Sequence, residues 1–100
     1  MIKLEEIRVD LKEVRYYFSR KEFMDKAFIE VTTNDTLDKV RQYNSLIRSA
    51  PPRLFDVYVS LYANNLTQEA LAHESGYTPR YICMLNKRLL LFLRSKLAEK

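Results

Sequence analysis

The side chains best equipped for chemistry in this chain are cations. Between Thr78 and Lys100 stand Arg80, Lys87, Arg88, Arg94, Lys96 and Lys100, opposed only by Glu99. With about 100° between successive helical residues, Ile82, Leu85, Leu89 and Leu93 fall on one side. Arg80, Cys83, Met84 and Lys87 fall opposite them. A helix face of guanidinium and ammonium groups suits a polyanion such as a nucleic-acid backbone, although a merely solvated basic face has the same composition. Arg80, in the first turn, is placed for base edges, with guanine the natural target of an arginine. Thr78 and the first free amides after it, beside Pro79, suit a phosphate. Tyr81 lies on the flank, either touching a phosphate or thymine methyl or partly buried. Lys87, Arg88 and Arg94 read as backbone contacts, which position a protein without specifying sequence.

No other constellation offers chemistry. His73 has no second histidine or nearby cysteine, and Cys83 is the sole thiol, so neither a disulfide nor a cysteine-rich metal framework can form within the chain. Glu69 and Glu74 read as the solvated side of a helix. No nucleophile stands with a base, and no phosphate loop or metal-ligand spacing occurs. Neither an enzyme nor a cofactor is expected.

The elements that would present the cations are marked by capping residues. Thr67 is an N-cap for a short helix from Gln68 to about Glu74. Leu71 points inward, and Ala72 is small enough for two helices to approach. Gly76 can take the left-handed conformation of a sharp turn. Tyr77 covers that turn. Thr78 caps a second helix and Pro79 takes its first position. Ile82 and Leu85 then face back onto the first helix. The set Gln68, Ala72, Gly76, Ile82 and Leu85 is that of a helix-turn-helix, for which an ordinary helical hairpin is the plain alternative.

Further back, one glycine and three prolines argue against an all-β chain and for helices joined by short loops. Leu4, Ile7, Leu11, Val14 and Phe18 make one apolar stripe, either core packing or a short dimer seam. Ser19 to Glu22 matches a capping box, predicting a helix from near Arg20 to about Glu30. Asp35 or Thr36 caps a third, lined by Leu37, Val40, Tyr43 or Asn44, and Ile47. Pro51 and Pro52 end it and open the next, about Pro52 to Ala63, burying Leu54, Phe55, Tyr58, Leu61 and Tyr62. Asn64 and Asn65 close that helix. Leu90 and Leu91 angle away from the Ile82 face, to cover the N-terminal helices or to meet a partner.

The expected fold is therefore all-α, with an N-terminal helical arm over residues 1–50 and a trihelical helix-turn-helix unit over 51–100. Charge follows the same division: ten Lys/Arg against nine Asp/Glu in the first half, seven against four in the second. The longest apolar run, Leu89 to Leu93, is far short of the roughly 20 residues of a membrane helix. Acids enter the pattern from Glu5, leaving no secretory signal. A cytoplasmic protein is expected, without a membrane partner.

Leu54 to Leu93 resembles region 4 of sigma-70-type factors. The matching residues are Leu66-Thr-Gln-Glu-Ala-Leu-Ala, Gly76-Tyr-Thr, Arg80, Ile82, Leu85 and Lys87-Arg88-Leu89. With its charged N-terminal arm, the whole is similar in layout to the small ArpU/RinA-type regulators of phages and integrative elements. That resemblance implies a transcriptional regulator binding double-stranded DNA, with groove contacts at Pro79, Arg80, Cys83, Met84 and Lys87, and a contact with RNA polymerase. Pro79, Cys83 and Met84 depart from the polar residues usual there. The competing expectation is a protein-interaction module of the same fold, motivated by the apolar Cys83, Met84 and Leu91. A homodimer is a further expectation, since helix-turn-helix proteins often pair on palindromes.

Overall fold

The computed structural model describes residues 2–20 and 34–99. Helix is the only regular structure among them: α1 (Leu4–Arg20), α2 (Asn34–Ile47), α3 (Pro52–Tyr58, continued by a π-helical turn Val59–Ala63), α4 (Gln68–Ser75) and α5 (Pro79–Ala98).

α1 begins with Glu5 and Glu6 in its first turn, where carboxylates favour the helix dipole. Its stripe serves packing: Ile7, Leu11 and Val14 are fully buried, and Leu4 and Phe18 are packed partly buried against the same core. The surface that suggested a dimer seam is thus inside the protein. The expected break at Ser19 is corrected. α1 runs on through Arg20, and the Ser19 hydroxyl donates to the Tyr16 carbonyl at 2.8 Å, as a serine within a helix does. The rest of the helix expected to reach Glu30 lies outside the described residues.

α2 starts at Asn34, just before the expected cap, and buries Val40, Tyr43, Leu46 and Ile47. The chain then turns through Ser49 and Ala50 to Pro51, which is extended (φ −54°, ψ 147°), and Pro52 opens α3. Leu54, Val57, Tyr58 and Leu61 form the buried stripe of α3. Phe55 corrects a second expectation. It is 40% exposed, because it sits one residue off that stripe. Tyr62 is partly buried. The π turn closes with Asn64 N–H on the Val59 carbonyl at 2.8 Å, and Asn65 takes the left-handed conformation (φ 59°).

All buried residues among those described belong to one cluster drawn from both halves of the chain. α5 contacts each of the other four helices. Its Leu89, Leu90 and Leu93 are fully buried. Leu90 is therefore core, whereas its neighbour Leu91 stays exposed. Polar clamps tie the helices to one another. Arg15 Nε donates to Asn65 Oδ1 at 2.9 Å and its Nη2 to the Asn65 carbonyl at 3.3 Å. Three tyrosine hydroxyls donate across elements: Tyr43 to Asp10 (2.7 Å), Tyr58 to Asn44 (2.8 Å) and Tyr62 to Asn86 (2.6 Å). These bonds let large amphipathic rings sit inside a small core without an unsatisfied hydroxyl.

Candidate nucleic-acid interface

α4 and α5 are joined by the three residues Gly76, Tyr77 and Thr78, and local chemistry accounts for the corner. Thr67 Oγ1 accepts from Ala70 N–H at 3.0 Å, satisfying a first-turn amide of α4. Gly76 has φ 76° and ψ 12°, and its N–H returns to the Ala72 carbonyl. A Cβ there would meet no heavy atom within 4 Å, so the backbone angle alone demands glycine. Tyr77 N–H also reaches the Ala72 carbonyl, at 3.0 Å. Ala72 itself is buried. Thr78 is extended, its Oγ1 accepts from Tyr81 N–H at 3.2 Å, and Pro79 takes the first helical position, where its missing N–H costs no bond.

Beyond this corner, α5 divides as its periodicity predicts. Ile82, Leu85, Leu89, Leu90 and Leu93 are buried. Pro79, Arg80, Cys83, Met84, Lys87 and Arg88 are exposed, as is Thr78, and Arg94 is half-buried. Met84 and Leu91 are 39% and 38% exposed, so the outer face is partly apolar. Measured from Arg80, Lys87 lies about 20° away round the axis, Arg94 about 40° and Arg88 about 80°. The first three therefore share a ridge, some 21 Å long from Arg80 to Arg94 at the helical rise. Arg88 turns toward α3. Among the described residues, Arg80, Lys87, Arg88 and Arg94 enter no ion pair, and α5 carries no acid from Pro79 to Ala98. Lys96 differs: it pairs with Glu99 at 3.7 Å and lies over the Phe92 ring.

Two acids of α1 are engaged away from this ridge. Asp10 and Glu13 each lie 3.4 Å from Lys39. Desolvation works against the Lys39 charge, but the two carboxylates outweigh it and its pKa rises. Burial pushes the Tyr43 hydroxyl well above the usual phenol range, helped by its bond to the Asp10 carboxylate, and burial does the same to Tyr58. Tyr62 is also raised by burial, against the nearby charges of Arg15 and Arg8.

Tyr81 is only partly exposed. Its ring packs on Tyr77 with centroids 4.8 Å apart, and its hydroxyl accepts from Arg53 Nη1 at 2.5 Å. Arg53 thereby joins the corner, although 28 residues separate it from Tyr81. No motif or periodicity links the two positions, so only the packing of α3 against α5 reveals the pair.

No helix among the described residues is long and apolar enough to cross a membrane. No three His, Cys, Asp or Glu side chains among them group as metal ligands would. What the arrangement offers chemically is a cationic ridge on a helix capped at Thr78. No family model matches the chain, and no curated protein or solved structure matches it either.

Proposed function

We propose that this chain is a helix-turn-helix regulator of the sigma region 4 type, in which α5 enters the major groove of double-stranded DNA. One observation carries the reading: Arg80, Lys87 and Arg94, which enter no ion pair among the described residues, lie along one face of α5, just past a corner capped at Thr78. Arg80 reads a base edge. Lys87 and Arg94 bind phosphates, and Thr78 with the first amides of α5 holds another. Tyr81, Pro79, Cys83 and Met84 flank these contacts. Regulation of transcription in a phage or mobile element is the role that fits such a chain, in the cytoplasm and beside RNA polymerase.

Salt-titrated fluorescence anisotropy on the operator and on random DNA tests this. Arg80→Ala is expected to weaken the operator by about 1–3 kcal/mol while leaving random DNA nearly unchanged. Lys87→Ala weakens both alike and reduces the salt slope by about 0.9. A silent Arg80→Ala on the operator refutes the placement of α5. The exposed Met84 and Leu91 favour a second reading, in which the same face docks on a protein such as the polymerase. Absence of DNA affinity even at low salt selects it.

A further inference from the structure

The flank of α5 that Arg88 occupies borders a groove of about 460 Å³. Its floor is apolar, formed by Pro51, Pro52, Tyr81 and Leu85, and Arg53 and Arg88 stand at its rim. Pro52 has no N–H to offer, and the Pro51 carbonyl is already taken by Phe55 N–H at 3.0 Å. The groove therefore has little backbone polarity with which to bind a strand. Neither rim arginine is paired with a carboxylate among the described residues. The complementary surface is one branched apolar side chain flanked by carboxylates.

The chain carries such a surface itself. On α1, Val9 is 60% exposed and is bordered by Glu5, Glu6 and Asp10 around a shallow depression. Asp10 is held by Tyr43 and Lys39, and Glu5 by Arg8 at 3.0 Å. Among the described residues Glu6 enters no ion pair and accepts one hydrogen bond, from the Lys3 backbone N–H at 3.4 Å.

We infer that this groove receives the Val9 face of α1 from a second copy of the chain, with Glu6 and Glu5 set against Arg88 and Arg53. The contact is between unlike patches. It closes as a pair where both patches meet reciprocally and continues as a row where they do not. Because the groove lies about 80° round α5 from Arg80, self-association leaves the cationic ridge open. Copies could then sit side by side on one polyanion, though the inference itself does not depend on DNA binding.

Sedimentation velocity of the purified chain across a concentration series, at low and high salt, provides the test. The chain is expected to self-associate more strongly at low salt. Val9→Ser and Arg88→Glu, both at exposed positions, should each weaken association at least about threefold, the scale of a rim charge pair. Glu6→Arg should weaken it similarly, and mixing Glu6→Arg with Arg88→Glu chains should restore association between them. Arg80→Ala should leave it unchanged. A parent chain that stays monomeric at the highest concentration in low salt overturns the inference. So does association indifferent to Val9→Ser, or a mixture that fails to recover. DNA affinity of the same variants is read separately: loss of salt slope in Arg88→Glu would assign Arg88 to phosphate instead.

Discussion

The buried tyrosines that link neighbouring helices make the fold sensitive to alkaline pH, and the size of the effect follows from their burial. Tyr43 and Tyr58 are 1% and 2% exposed, and both have folded-state pKa values raised well above the ordinary phenol value near 10. In the unfolded chain they ionise near pH 10, whereas in the folded chain they stay protonated. The native state therefore holds more protons above that pH, and stability falls as pH rises. Below about pH 9 the contribution is fully present. At about pH 11 each tyrosine costs close to 1.4 kcal/mol, or about 2.8 kcal/mol for the pair. That is a large share of the 5–15 kcal/mol of a typical domain. Urea unfolding followed by far-UV circular dichroism at about pH 9 and about pH 11 measures it, with Tyr43→Phe/Tyr58→Phe as the comparison. Lys39, also raised, loses its contribution in the same direction but is common to both proteins. The double variant should lose about 2.8 kcal/mol less than the parent over this interval. It starts from a lower stability at pH 9, since each removed hydroxyl forfeits about 1 kcal/mol. Equal losses in parent and variant would refute the argument that these hydroxyls are buried and protonated in the folded chain.

Two further perturbations probe the corner and the core. Nothing crowds position 76, so Gly76→Ala should cost about 1–2 kcal/mol by urea denaturation from the positive φ alone, and Gly76→Asn less, because asparagine tolerates the left-handed conformation better. Leu90→Ala should cost about 2–5 kcal/mol, whereas Leu91→Ser, one residue on and exposed, should stay within about 0.5 kcal/mol.

What the sequence reveals depends on how local the determining physics is. Thr67, Gly76, Thr78 and Pro79 act within three or four residues of themselves, through one hydrogen bond or one backbone angle, and each can be read directly. Ser19 follows the same local pattern yet lies inside α1, since Phe18 continues the stripe that α1 packs and tertiary burial overrides a cap signature. Phe55 shows the limit of hydrophobicity as a guide: next to Leu54, it is as apolar but faces outward, because only the Leu54, Val57, Tyr58 and Leu61 spacing meets the core. Leu90 and Leu91 are alike in type and adjacent, and only the arrival of α1 and α2 against α5 separates them. The ridge was legible from the angles of α5. The Arg53–Tyr81 and Tyr43–Asp10 pairs were not, as nothing short of the fold brings positions 28 and 33 residues apart together.

α5 therefore carries two demands on opposite sides of one helix. Its buried side joins every other helix among the described residues, and its outer side presents the cations. A long helix is stiff, so a shift imposed anywhere along the buried stripe moves the ridge as a body. The arm grips this helix's neighbours through Arg15 at Asn65 and Asn44 at Tyr58, and shares its core at Leu90. The arm is thus a determinant of where Arg80 points, although no arm residue belongs to the ridge. If α5 enters a DNA groove as proposed, a loosened arm would first blur the orientation of Arg80, whose hydrogen bonds to a base edge are directional. Lys87 and Arg94, whose attraction to phosphate is long-ranged, would suffer less. Discrimination between sequences would be lost before affinity.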